Sequence, residues 1–285
     1  MTYADSLMST LAYTIVDVFT DTPLEGNGAA VFTDANGLDE RTMQRLAREL
    51  NLSETVFVLA PREGADARIR IFTPNAELPF AGHPTLGAAL VLAGDREQIS
   101  IETGLGIVPL SLAHAGGRVV FGRMSQPLPT IAPFDGGELF AALAITRSLL
   151  PLEVYVNGPR TVMVGLEDEL AVAALAPNMQ ALVPLAANIC CFAPMAGGQW
   201  KVRVFGPALG VPEDPATGSA AGPLALHLAR HGAIAFGQEI EIRQGAEILR
   251  PSVLHARVEG SREQIDRIEV GGAAVIVARG EFELR

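Results

Sequence analysis

The 285-residue chain lacks any apolar run close to the ~20 residues that a membrane-crossing helix needs. Its opening, MTYADSLMST, lacks a basic stretch followed by an apolar one, so no secretory leader is read and a cytoplasmic setting is expected. Basic residues are in deficit: 21 Lys and Arg face 32 Asp and Glu, a net charge of −11 with a pI near 4.9. That balance speaks against nucleic acid and against anionic membrane surfaces as partners. Any anionic substrate must be held by local donors, not by the field of the whole protein. Cysteine is almost missing. Cys190 and Cys191 are neighbours in NICCFAP, with Cα atoms about 3.8 Å apart, too close for an ordinary disulfide. They read as inert strand residues pointing to opposite faces of a buried strand.

Several catalytic signatures are missing as well. There is no P-loop, and GLGIVPL and GGQWKVR do not fit a dinucleotide fingerprint ahead of a helix. No Gly-x-Ser-x-Gly elbow occurs. His83, His114, His227, His231 and His255 show no metal-type spacing with cysteine or carboxylate. His227 and His231 stand four apart on a helical stretch, but nothing near them completes a site.

What is present is a large apolar fraction and a repeated pattern. Hydrophobic residues make up 49% of the chain, enough to fill real cores and to exclude disorder for the whole. Arg70-x-Phe72-x-Pro74 recurs as Arg203-x-Phe205-x-Pro207, an offset of 133 residues. At the same offset FVLAP, ending at Pro61, lines up with CCFAP, ending at Pro194. Upstream, each half shows a strand, an Asn-Gly turn (Asn27-Gly28 and Asn157-Gly158), a second strand and a helix. Downstream, each half has a corner of small residues and an apolar helix: FAGHPTLGAA in the first, EDPATGSAAGPLALHLARHG in the second.

The pattern predicts strands at Ala12–Phe19, Ala29–Phe32, Thr55–Ala60 and Ala67–Thr73, with Arg68 and Arg70 on one face of the last and Ile69 and Ile71 on the other. A helix is expected over Asp39–Leu50, capped by Asp39, with Met43, Leu46, Ala47 and Leu50 as its apolar stripe. A buried helix follows Pro84, which suits a first helical turn because its missing N–H has no intrahelical partner there. Further strands are read near Ile99–Ile101, Ile107–Leu112 and Arg118–Met124. The segment SQPLPTIAPFDGG, with three prolines, reads as a linker. The tail IDRIEVGGAAVIVARGEFELR reads as two strands joined through Gly271-Gly272. The expectation is an α+β chain of two similar domains, residues 1–128 and 129–285, with the last strand packing on the first domain and a ligand cleft between them.

The copies differ where chemistry is expected. Glu54 aligns with Ala187, so only the first copy carries a carboxylate ahead of that core strand. Desolvation there would raise its pKa and suit proton transfer at neutral pH; an exposed glutamate at a strand entrance would be idle. The corners supply Gly82 and His83 in one copy and Asp214, Gly218 and Ser219 in the other. Free N–H groups at two helix starts can hold a carboxylate. Ser219 could equally be a helix cap, Asp214 a turn residue and His83 a structural histidine.

The stretches VDVFTDTPLEGNGAAVF, NLSETVFV, RIFTPNAELPFAGHPTLGAA and RVFGPALGVPEDPATGSAAGPLALHL resemble the PhzF-like phenazine-biosynthesis family, relatives of diaminopimelate epimerase. The resemblance implies two epimerase-like domains, each a curved, mostly antiparallel sheet around a central helix, usually in a homodimer, with no metal and no organic cofactor. It implies a proton-shuttling role for Glu54, supporting polar roles for His83, Asp214 and Ser219, and substrate binding by Gly82, Gly218 and Asn27. The epimerase relatives carry cysteines at the two corners; their absence here speaks against two-thiol racemisation. Gly28 stands where the family usually has proline, a change expected to loosen a turn at the cleft edge. The expected function is cofactor-independent isomerisation of a small carboxylate-bearing metabolite by acid-base proton transfer, similar to trans-2,3-dihydro-3-hydroxyanthranilate isomerisation. Two alternatives stay open: an epimerase using Glu54 with Asp214 or His83 as second base, and a non-catalytic ligand-binding protein.

Overall fold

The structure is a computed structural model and describes residues 9–284. The first half contains β1 (Ser9–Val18), β2 (Asn27–Phe32), α1 (Glu40–Leu50), β3 (Glu54–Leu59), β4 (Ala67–Phe72), β5 (Glu77–Leu78), α2 (Gly82–Leu92), β6 (Gln98–Thr103), β7 (Gly106–Ala115) and β8 (Arg118–Ser125). The second contains β9 (Thr130–Pro133), α3 (Gly137–Leu143), β10 (Glu153–Val156), β11 (Arg160–Gly165), α4 (Glu169–Ala173), α5 (Met179–Leu182), β12 (Asn188–Pro194), β13 (Gln199–Gly206), β14 (Val211–Asp214), α6 (Gly218–Arg230), β15 (Glu239–Gln244), β16 (Ser252–Gly260), β17 (Ile265–Gly272) and β18 (Ala274–Leu284).

Strand pairing repeats the sequence pattern. β2 lies parallel to β3, β3 antiparallel to β4, and β4 parallel to β6. In the same order β11 lies parallel to β12, β12 antiparallel to β13, and β13 parallel to β15. The equivalent strands β8 and β17 pair antiparallel with each other, Met124 opposite Val270, so the two copies share one continuous sheet. β17 and β18 take different partners: β17 runs between β8 and β16, whereas β18 returns to pair with β1 along its whole length.

Each copy wraps its sheet around one helix. In α2 every residue from Gly82 to Ala89 is buried, and in α6 every residue from Gly218 to Ala229. Such helices have no polar face to offer solvent, so they are stable only when enclosed. Gly87 lets α2 seat against the sheet, since a Cβ there would stand 2.9 Å from Val16 Cγ1. The amphipathic α1 lies on the outer side. Asp39 caps it by accepting from the Thr42 N–H at 2.7 Å, and Met43, Leu46 and Ala47 pack on Phe32, Phe57 and Phe72. Strand β3 is therefore buried along both faces.

Two sequence readings change. The proline-rich segment is not an open linker, because Thr130–Pro133 forms β9 and pairs with β10. Pro127, Pro129 and Pro133 fall before it and at its end, where a ladder tolerates proline. Asn27-Gly28 is not a turn either. Both residues begin β2, Gly28 opposite Asp17, and the turn lies earlier, at Gly26 with φ of 65°. Gly28 thus loosens no turn, and a Cβ there would meet only ordinary contacts, the nearest Asp17 Oδ1 at 3.4 Å.

Candidate active site

The starts of α2 and α6 meet. A Cβ on Gly82 would stand 2.6 Å from the Gly218 carbonyl carbon and 2.7 Å from the Ser219 nitrogen. No side chain larger than hydrogen fits there, which is the physical reason for glycine at this corner. Gln126 donates to the Gly218 carbonyl at 2.8 Å and Asn157 to that of Ser219 at 3.2 Å, fixing the first turn of α6.

Around this contact the structure gathers the residues that the sequence singles out. Asn27 Nδ2 lies 2.7 Å from Asp214 Oδ1, 2.9 Å from the Ala216 carbonyl and 3.2 Å from His83 Nδ1. On the other face of the ring, His83 Nε2 stands 3.4 Å from Glu54 Oε2. Thr217 Oγ1 donates to Asp214 Oδ2 at 2.6 Å, and Gln244 donates to both Thr217 Oγ1 and the Asp214 carbonyl. Glu54, Asp214 and Ser219 face a common cavity with Thr73, Asn188, Gly206 and Thr217 on its wall. Its enclosed space is about 20 Å³, room for roughly one water. Gly82, His83, Gly218 and Asn27 stand immediately behind that wall; Asn27 is a strut between Asp214 and His83, its side chain fully enclosed.

Burial sets the protonation of the cluster. Desolvation, reinforced by the nearby Asp214 charge, pushes the Glu54 pKa well above the usual carboxylate range. Desolvation also raises Asp214, against hydrogen bonds from Thr217, Asn27 and Ser53 that favour its ionised form. His83 is lowered to about 3 by burial, so its ring is neutral at physiological pH. Two acids of raised pKa therefore line one small cavity.

The register also corrects the alignment of the copies. Phe72 faces Thr55, and its equivalent Phe205 faces Ile189. The residue preceding each is Glu54 in one copy and Asn188 in the other, so Glu54 corresponds to Asn188, not Ala187. The first hairpin is one residue longer than the second, and a slip of one residue turns every side chain to the other face. Both side chains line the cavity: the second copy offers an amide where the first offers an acid. The cysteines lie elsewhere, buried in β12, with Cys190 pushed up to about 12 by desolvation.

A doubled α+β sheet wrapped around two buried helices, with two enclosed acids beside their meeting starts, is the arrangement that the comparisons with known proteins assign to a class. The family described as phenazine biosynthesis-like protein, PhzC-PhzF, matches residues 16–280. The chain belongs to that family and is an isomerase. It is 52% identical to the trans-2,3-dihydro-3-hydroxyanthranilate isomerase of Pseudomonas aeruginosa, over 95% of this chain and 99% of the relative. An uncharacterized isomerase from Pasteurella multocida is 35% identical over 97% and 95%. Among solved structures, a PhzF-family protein from Bacillus anthracis superposes with a TM-score of 0.82 at 28% identity, over 97% of this chain and all of that one. A probable proline racemase from Agrobacterium radiobacter shares the fold at a TM-score of 0.69 and 15% identity, over 96% and 93%. Among the described residues no helix is long and apolar enough to cross a membrane.

Proposed function

We propose that the chain isomerises a small ring acid of the trans-2,3-dihydro-3-hydroxyanthranilate type by taking a proton from one carbon and returning it to another through Glu54. The observation that carries this reading is the state of Glu54: its Oε2 is buried and makes no hydrogen bond among the described residues, and its pKa is raised. A carboxyl in that state is poised to exchange a proton near neutral pH. In this reading the N–H groups around Gly82 and Gly218, with the Ser219 hydroxyl, hold the substrate carboxylate and the negative charge that develops during transfer. Asp214 sets the charge opposite Glu54, while His83 orients it as a neutral ring and Asn27 keeps the two aligned. Side chains and backbone amides carry the whole transfer, with no cofactor or metal among the groups assigned.

The same reading takes residues 1–128 and 129–285 as two domains that must part to admit a ring, because the cavity holds only about one water as it stands. It extends to a homodimer in the cytoplasm, a reducing compartment that suits two buried free thiols. The relatives' substrate is the direct test. Incubation with trans-2,3-dihydro-3-hydroxyanthranilate in deuterated water, followed by NMR, should show a shifted double bond and a proton delivered at a new carbon. The facing acids Glu54 and Asp214 also suit a two-base epimerase. Exchange at a single carbon with retained connectivity would select that second reading, and neither exchange nor conversion would exclude this substrate.

A further inference from the structure

At the end of α6 remote from the corners, one carboxylate oxygen is crowded. Glu153, on β10, presents Oε2 to the Tyr155 hydroxyl at 2.7 Å, Arg230 Nη1 at 2.7 Å, His231 Nε2 at 3.1 Å and His227 Nδ1 at 3.3 Å. Tyr155 Oη in turn lies 3.1 Å from His227 Nδ1 and accepts from Arg230 at 3.0 Å. The sequence leaves His227 and His231 without a third group; the fold supplies one from β10.

An ionised carboxylate offers about two lone-pair directions on each oxygen. The two shortest contacts, from Tyr155 and Arg230, occupy those of Oε2. The two imidazole nitrogens are turned toward the same, already crowded oxygen at longer distances. Their spacing fits a metal instead. The three ligand atoms lie within 4.8 Å of one another. The two edges from Glu153, 3.1 and 3.3 Å, match the edge of roughly 3.3–3.4 Å expected for tetrahedral bonds of about 2.0–2.1 Å.

The surroundings favour a cation. The cluster sits at the last turn of α6, the partially negative end of the helix dipole. His227 is fully enclosed at the base of the cluster. Arg230 already places a positive charge on this oxygen, and its partly exposed side chain can swing into solvent.

We propose that Glu153, His227 and His231, with the Tyr155 hydroxyl at their edge, form a binding site for a transition-metal dication of the zinc class that replaces the Arg230 guanidinium. Eight residues of helix, about 12 Å at 1.5 Å per residue, separate His227 from Ser219. The ion therefore clamps α6 to β10, outside the cleft that carries proton transfer.

The test uses the tag-free full chain, stripped with chelator and titrated with Zn²⁺ by calorimetry and with Co²⁺ by visible absorption. One ion per chain, an intense tetrahedral Co²⁺ spectrum and a raised Tm are expected. His231→Ala should weaken binding by at least ~10-fold, at the lower end of what even outer-shell losses cost. Arg230→Gln keeps every ligand and removes the competing cation, so it should tighten binding. No saturable binding to the wild-type chain would overturn the proposal, as would binding indifferent to His231→Ala or weakened by Arg230→Gln. If His231→Ala fails to fold, the Arg230→Gln titration decides alone.

Discussion

Glu54 Oε2 and His83 Nε2 lie 3.4 Å apart in the interior, and neither makes a hydrogen bond among the described residues. The framework around them is tied together: Asp214 by Asn27 and Thr217, Thr217 by Gln244, and the start of α6 by Gln126 and Asn157. Rigid support around one unsatisfied carboxyl is the arrangement expected of a group held ready for substrate, since a buried polar atom without a partner costs stability.

That cost has a measurable pH signature. Glu54 has a folded pKa raised above its unfolded value. Below the unfolded value both states are protonated and nothing is lost. As pH rises from there, the unfolded chain ionises first, and stability falls until pH passes the folded pKa. Glu54→Gln removes this penalty. Its Tm should exceed that of the wild type at pH 7–8, and the difference should shrink as pH falls toward 4.5. Thermal denaturation across that range checks it; equal Tm values at every pH would mean that Glu54 is not desolvated in solution.

The two glycines at the cleft should respond oppositely to alanine. Gly82→Ala drives a methyl into the backbone of Gly218 and Ser219 and should cost about 1–3 kcal/mol, the usual range for overpacking, together with most of the activity. Gly28→Ala meets nothing closer than 3.4 Å at a φ that alanine adopts readily. It should be neutral or stabilising by up to ~1 kcal/mol through the unfolded state. Denaturant unfolding of both variants is the measurement.

Thiols should be irrelevant to turnover. Cys190 and Cys191 are fully buried in β12, and desolvation raises both pKa values. Iodoacetamide under native conditions should leave activity intact, and Cys190→Ser or Cys191→Ser should hold turnover within a few-fold. Rapid inactivation that substrate prevents would restore a thiol mechanism.

Much of this arrangement is legible in the sequence. The two apolar helices and the doubled order of elements follow from residue pattern, because periodicity is local; Glu54, His83, Asp214, Gly82, Gly218 and Ser219 stand out at the corners of the repeat, and Asn27 joins them through the family resemblance alone. What escaped depends on register and on contacts distant in sequence. Asn188 was hidden by a one-residue difference in hairpin length, which an ungapped offset cannot detect. β9 was hidden by its prolines, which signal a linker until β10 is seen beside it. Glu153 joins His227 at a separation of 74 positions, a distance at which spacing carries no information. The strut role of Asn27 needed the second corner to be in place, 187 residues away.

The central claim is that Glu54 carries the proton, and it is tested most directly by pairing single-turnover rate with calorimetric affinity in Glu54→Gln. Glutamine keeps shape and hydrogen-bonding capacity but cannot exchange a proton. General acid-base catalysis is worth roughly 10²–10⁴-fold, so the rate should fall by at least that range while a carboxylate ligand binds with little change, and His83→Ala and Asp214→Asn should each cost less. Near-normal turnover in Glu54→Gln would contradict the account and pass the proton to another residue, with Asp214 next; joint loss of binding and fold would make Glu54 a structural residue.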